Sequence, residues 1–451
     1  MKTKKIFYFL LLLGFLSGCD YLDIVPDNLP TLEMAFNNKS SAERFLFTCY
    51  SFVPEHGKIG TDPGMDVGDE VWYYSDNSAD YSNKTTFWIA KGMQNSNEPL
   101  VDYWNGTQWG KAMFVGIRDC NVFIENIDKV PDLSAYDKET WKAEVKVLKA
   151  FYHFWLMRMY GPIPIVKENI PVSADENEVR VVRDKIDDIV AYTVSLIDES
   201  VDYLPLNIQN EAAEMGRITR PAAKAIKAKI LAFAASPFFN GNLDYANFKN
   251  ADGEPFFNQV YDGEKWTKAA EACLDAIQCA EEAGHGLYEF VNMSSTKLSE
   301  ETVLSLTNRC KVTERWNKEL VWGCGQSGIR DLQVLCQPWL ESNYSSDDRY
   351  HNARNGTFAP TLAVAETFYT KNGVPMDEDR SYDYDNRYTT QVATEADKYY
   401  IQPGYTTAKL HFDREPRFYA TLGFDGSSWY GIGKMDDNDM WYLQAKAKQA
   451  S

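Results

Sequence analysis

Five apolar stripes at helical spacing, strung between Trp109 and Ala280, limit this chain to a fold built mainly of packed helices. The first is Trp109, Met113, Ile117, Cys120 and Ile124. The second holds Trp141, Val145, Leu148, Tyr152, Trp155, Leu156 and Met159, and Gly161-Pro162 ends it. The third runs Ile186, Ile189, Val190, Thr193, Ile197 and Val201 and stops before Pro205. The fourth opens at Thr219 as N-cap, with Pro221 in the first turn where its missing N–H costs nothing. It carries Ile226, Ile230 and Phe233, backed by Ala222, Ala223, Ala225, Ala228 and Ala232. The fifth is Trp266, Ala270, Cys273, Ile277 and Ala280, capped by Gly284. Alanine at contact positions lets helix axes approach closely, so the pattern predicts antiparallel hairpins stacked as in tetratricopeptide arrays, without their strict repeat signature. Trp109, Trp141, Trp155 and Trp266 belong to the expected core.

The flanks read differently. Asp20 to Asn38, with Pro26 and Pro30, suggests an extended leash. Ser40 with Glu43 resembles a capping box, opening a helix through Phe45, Leu46, Cys49, Tyr50 and Val53 that Pro54 stops. Residues 56–105, rich in Gly, Asp, Asn, Ser and aromatics, form an irregular excursion of the kind that carries function. From Gly286 the helical pattern weakens, and short strand-like pieces such as Glu319–Trp322 alternate with polar loops. The fold expected is mainly α, with TPR-like hairpins, long irregular loops and a few short strands. Its organisation is an anchored helical region over 19–285 and an irregular C-terminal region over 286–451.

The N-terminus carries a targeting signal. Lys2, Lys4 and Lys5 precede the apolar run Ile6–Phe15, which is too short to span a bilayer. Leu16-Ser17-Gly18-Cys19 resembles a bacterial lipobox, so residues 1–18 are expected to be removed and Cys19 acylated. Acyl chains contribute roughly 0.8 kcal/mol per buried CH₂, so two or three anchor a protein durably. The net charge of −19 argues against nucleic acid and against a peripheral hold on anionic lipid.

Of eight cysteines, lipidation of Cys19 leaves an odd number, which rules out a complete disulfide framework. Cys49, Cys120 and Cys273 fall on apolar helix faces and are expected to pack as small hydrophobes. Cys279 has no metal-ligand partner spacing, and pairing among Cys310, Cys324 and Cys336 stays open. HExxH, GxSxG, Walker and GxGxxG motifs are absent. The five histidines are scattered, with His153 expected as a packed or surface residue. The acidic clusters Asp377-Glu378-Asp379 and Asp436–Asp439 lack EF-hand spacing and read as solvated loops. No catalytic group, metal site or cofactor is expected.

A family resemblance emerges from motifs spread along the chain. The run Glu144 to Phe154 (EVKVLKAFYHF), then Tyr160 to Pro164 (YGPIP), resembles the signature helix of the SusD/RagB family. Gly216 to Ala225 (GRITRPAAKA), leading to Ala234 to Phe238 (AASPF), is similar to it as well, as are Lys371 to Pro375 (KNGVP) and Arg414 to Tyr419 (REPRFY). The opening Cys19 to Pro26 (CDYLDIVP) is similar to that family's lipoprotein start. The resemblance implies an outer-membrane lipoprotein facing the cell exterior, with a TPR-like core and a glycan-binding loop face. Its implied partner is a SusC-like TonB-dependent transporter to which it passes oligosaccharides; some relatives handle peptides or glycopeptides. Family members usually continue beyond the REPRFY segment into another alanine-rich helix. The polar tail Ala445–Ser451 follows that segment closely here, which implies a C-terminally truncated member with apolar surface left uncovered.

For such a ligand, broad rigid Trp and Tyr rings suit the C–H faces of sugars, and Asp, Asn, Gln and Arg suit the hydroxyl rim. One candidate platform is Trp72, Tyr73 and Tyr74 with Asp76 and Asn77, followed by Trp88. A second is Trp339 and Tyr344 with Gln337, Glu341 and Asn343. The nearest rival reading is a peptide or glycopeptide uptake lid; a surface glycosidase and a clamp on the transporter without a ligand site are the others.

Overall fold

The computed structural model describes residues 32–445 apart from 59–61, 74–87, 293–296, 326–331, 334–335, 337–338, 341–357 and 432. Cys19, the signal segment, the leash to residue 31, Tyr74 and Tyr344 therefore lie outside the described residues. Six long helices form the scaffold: α1 (Lys39–Tyr50), α2 (Met113–Asn126), α3 (Ala135–Tyr160), α4 (Ile186–Asp198), α5 (Arg220–Ala235) and α6 (Glu264–Glu282). Consecutive members pack in chain order, and α1 also reaches α3. The fold is mainly α, as the stripes require.

Local chemistry sets the boundaries. Ser134 Oγ accepts from Asp137 N to open α3, and Gly161, at φ +70°, ends it. Thr219 accepts from Ala222 N and Pro221 occupies the first turn of α5. At α1 the cap is Asn38, whose side chain accepts from Ser41 N, and not Ser40; the helix stops at Tyr50, short of Val53. An amide placed two residues earlier served the orphan N–H, so the capping box was unnecessary. The leash also ends sooner than expected. Residues 32–35 make a helical turn, and Phe36 is buried against Phe45 and Phe123.

The core is centred on α3, where Tyr152, Phe154 and Trp155 are fully buried among Tyr103, Phe123 and Leu46. Trp141 is buried, and Trp109 packs on this core part-buried just ahead of α2. A buried ion pair locks the hairpins together. Arg217 donates to Glu144 from Nη2 at 2.5 Å and Nε at 3.1 Å, Tyr50 Oη donates to the same carboxylate, and Ile218 N donates to Tyr50 Oη at 2.9 Å. Burial pushes the Glu144 carboxyl up, and burial also works to lower Arg217, but Glu144 outweighs that and raises the guanidinium. His153 is packed, with Nδ1 bonded to Lys149 O at 2.8 Å and Nε2 accepting from Val166 N.

The fifth stripe faces the other way. Against α5 the helix α6 buries Ala269, Ala272, Ala276 and Cys279, while Trp266, Leu274 and Ile277 are 45–56 % exposed and Cys273 is exposed. Ala228 on α5 meets Ala272 and Ala276, a seam of small side chains on which the larger residues would hold the axes apart. Trp266 and Cys273 are thus not core. Ala276→Leu is expected to cost about 1–3 kcal/mol by overpacking that seam, read as a lower midpoint in urea with an unchanged slope.

The C-terminal region adds α7 (Glu300–Thr313), α8 (Leu362–Thr367), α9 (Pro416–Thr421) and short antiparallel strands. These are β1 (Val71–Tyr73) with β3 (Phe358–Pro360), β4 (Thr390–Val392) with β5 (Thr406–Ala408), and β2 (Trp339–Leu340), β7 (Trp441–Gln444) and β6 (Ser428–Trp429) in that order. Helix α7 escapes the pattern because its buried side includes Thr302 and Ser305 beside Leu306. Glu319–Trp322 is a turn running into a bend, not a strand. A second small core gathers Leu410, Phe412, Phe418 and Phe424. Arg414 lies across Phe418 at 4.4 Å and donates to the carbonyls of Leu410, Ala365 and Phe368. Trp322 joins the layers, its ring edge-on to Phe151 and its Nε1 donating to Gly216 O at 2.9 Å. The acidic clusters are structural acceptors more than solvated loops. Asp379 accepts from Thr370 Oγ1 and Asn372 Nδ2, and Asp437 from Thr302 Oγ1, Tyr430 Oη and Ser299 N. Cys49, Cys120 and Cys279 are buried thiols, and Cys310 and Cys324 are also unbridged.

Candidate functional site

The first excursion is held in place at both of its ends. At its start the His56 ring meets Trp155 edge-on at 5.0 Å, and its Nδ1 lies 2.7 Å from Asp62 Oδ2. Asp62 is nearly fully buried and also accepts from Gly64 N. Burial works to raise its carboxyl, but His56 and the Arg158 charge outweigh that and hold it below the usual range. A Cβ on Gly64 would come to 3.3 Å from Asp62 Oδ1 and 3.4 Å from Arg158 Nη2, so the chain passes close here. Arg158 covers Trp155 and Phe233, each at 5.0 Å. Among the described residues, its Nε and Trp155 Nε1 are buried donors without a hydrogen-bond partner.

At the far end Asp102 organises a tight turn. Its carboxylate accepts from Trp104 N, Asn105 N and Thr107 Oγ1 at 2.8–2.9 Å. Burial works to raise this group, but the Asn105 and Thr107 bonds prevail and lower it. Tyr160 Oη accepts from Tyr103 N at 2.8 Å, and Trp104 packs edge-on to Tyr160. Both ends of the excursion therefore rest on the C-terminal turns of α3.

Between these anchors stand the sequence candidates. Trp72 sits in β1 opposite Ala359 and is 39 % exposed. Thr361 fastens the strand's entrance, donating from N to Glu70 O and from Oγ1 to Asp69 O. Tyr73 is the next residue of β1, paired with Phe358. Trp88 starts a single helical turn, accepts at its carbonyl from Met93 N, and is 41 % exposed. Trp339 belongs to a different sheet, where it pairs with Gln444 of β7. Trp72 and Trp339 thus belong to separate sheets, and among the described residues no strand joins the two. The side chains of Tyr73 and Trp339, like Tyr74 and Tyr344, lie outside the described residues. Sequence reasoning missed the His56, Asp62 and Arg158 group, because its members lie on separate segments with no motif spacing.

Comparison with known proteins agrees with this architecture. The family described as "Starch-binding associating with outer membrane" matches residues 20–231, and the SusD family matches residues 330–450. SusD-like protein P25 of Formosa agariphila is 22 % identical over 240 residues, covering 51 % of this chain and 43 % of its own length. Among solved structures, BT4246 is 27 % identical with a TM-score of 0.68, covering 87 % of this chain and 66 % of its own. A SusD-like protein (BF3747) from Bacteroides fragilis is 16 % identical with a TM-score of 0.60, over 91 % of this chain and 65 % of its own. The chain therefore spans about two thirds of these solved proteins or less, and under half of P25. With the two profiles falling in order on the helical scaffold and the C-terminal region, this chain belongs to the SusD/RagB family.

Proposed function

We propose that this protein is a non-catalytic glycan-capture lipoprotein of the outer surface, anchored through Cys19, that hands oligosaccharides to a SusC-like TonB-dependent transporter. The observation that carries this reading is the pairing of a starch-binding family match over residues 20–231 with Trp72 and Trp88 exposed on a tethered excursion. A ring held by strand pairing loses little freedom when a sugar stacks on it, which favours stacking over a floppy loop. Among the described residues no helix is long and apolar enough to cross a membrane, in keeping with an anchor outside them. Tethering beside the transporter raises effective concentration, so modest affinity for one short glycan suffices.

Calorimetry against a panel of plant and host glycans tests the reading. Trp72→Ala or Trp339→Ala is expected to weaken binding about tenfold, or ~1.4 kcal/mol, with helix content unchanged. Unchanged affinity in both variants discards these platforms. Binding of peptides and no glycan transfers the protein to the peptide-uptake branch. New reducing ends released from polysaccharide make it a glycosidase.

A further inference from the structure

A concave surface lies at the N-terminal end of α3, opposite the end that anchors the excursion. An open cleft of about 310 Å³ separates the first turns of that helix from the 201–206 turn. Tyr136 and Tyr203 flank it, Glu139 and Asp202 line it, and Arg220 and Leu204 contribute to its wall. The two tyrosines are 68 % and 51 % exposed, so neither serves the core. Among the described residues, neither ring has an aromatic partner and neither phenol a hydrogen bond.

The wall is rigid. Arg220 donates to the carbonyls of Val201, Asp202 and Leu204 at 3.2–3.4 Å, and its own N donates to Pro205 O at 2.9 Å. Thr140 Oγ1 donates to Tyr203 O at 3.2 Å, tying the turn to α3. Since Arg220 is occupied by backbone carbonyls, it braces the turn that carries Asp202 and Tyr203. Glu139 is shared with Lys142 at 2.8 Å, whereas Asp202 has no ion-pair partner among the described residues.

Two exposed rings across a braced cleft, with carboxylate acceptors beside a guanidinium, match a ligand with apolar C–H faces and a rim of hydroxyl donors. The mixed charge matches neither a strongly acidic nor a strongly basic group. The volume lies at the lower end for small-ligand pockets, enough for a short stretch of sugar. We infer that this cleft is a second binding site for a neutral glycan, separate from the β1 platform. Glu139 and Trp155 on α3 stand roughly 24 Å apart along the axis at 1.5 Å per residue, so the cleft and the excursion's anchor do not share one short ligand. The inference rests on the glycan-capture reading, and adds to it a site on the helical scaffold itself.

Tyrosine nitration of the full chain, mapped by mass spectrometry with and without maltohexaose, laminarihexaose, cellohexaose or xylohexaose, tests it. A glycan that binds is expected to protect Tyr136 and Tyr203. The Tyr136→Ala/Tyr203→Ala variant should halve the glycan bound per chain without moving Tm. Trp72→Ala should leave the protection intact. If a glycan binds while both tyrosines react at the same rate, or if the double variant binds as the parent does, the second site is overturned and glycan capture stands. If none of these glycans or the wider panel binds, glycan capture fails and the second site with it.

Discussion

Replacing Arg217 by Leu is expected to destabilise the protein by about 3–5 kcal/mol, a large share of the net stability of an ordinary domain. Glu144 is 1 % exposed. Its carboxylate is satisfied by the Arg217 fork and the Tyr50 hydroxyl. Losing the guanidinium strands a buried charge, and the loss reaches beyond one contact because Tyr50 also holds Ile218 N, at the lead-in to α5. The cost arises from the uncompensated carboxylate more than from the worth of the pair. The double replacement Glu144→Leu/Arg217→Leu should therefore recover much of the stability. Urea unfolding of the single and double variants checks this. A single variant within about 1 kcal/mol of the parent would contradict the buried-pair argument.

The second large effect is in pH. Burial, followed by the nearby Lys149 charge, lowers His153 to about 4, and burial with Arg414 lowers His411 to about 4. In the unfolded chain each titrates near 6.5. Between those values the unfolded state binds more protons, so stability is complete above about pH 6.5 and falls as pH drops toward 4. From pH 6.5 to 5, before most carboxylates titrate, each histidine contributes a loss of up to about 2 kcal/mol. His153→Gln is expected to remove one proton from the slope of unfolding free energy against pH. It keeps a side-chain donor for Lys149 O and an acceptor for Val166 N, the two bonds His153 makes. A flat profile across that window in the parent protein would refute the assignment.

The scaffold was legible in sequence where a helix has one apolar face and clear punctuation. The stripe from Trp141 to Met159 followed by Gly161 marks the core contacts and the C-terminal end of α3, and Thr219 with Pro221 marks the start of α5, although α3 is buried on all sides from Val147 to Met157. Helix α6 misled because periodicity at large apolar residues selects Trp266, Cys273 and Ile277, while the tight approach to α5 selects Ala272 and Ala276. Helix α7 stayed hidden because it buries hydroxyls, with Thr302 spending its own on Asp437. Candidate rings stand out in sequence as aromatics in unpatterned segments, and in the fold Trp72 and Trp88 are 39 % and 41 % exposed. The braced cleft was not visible, since Tyr136, Tyr203 and Arg220 come from three segments that only folding brings together.

Helix α3 is 26 residues long and about 39 Å from end to end at 1.5 Å per residue. A rod of that kind acts as a ruler. If both proposed sites hold glycan, a polysaccharide long enough to reach both ends would be released only when both grips let go together, whereas a fragment would escape after one. Capture on such a rod would sort chains by size before any transporter meets them, retaining polymers longer than their own digestion products.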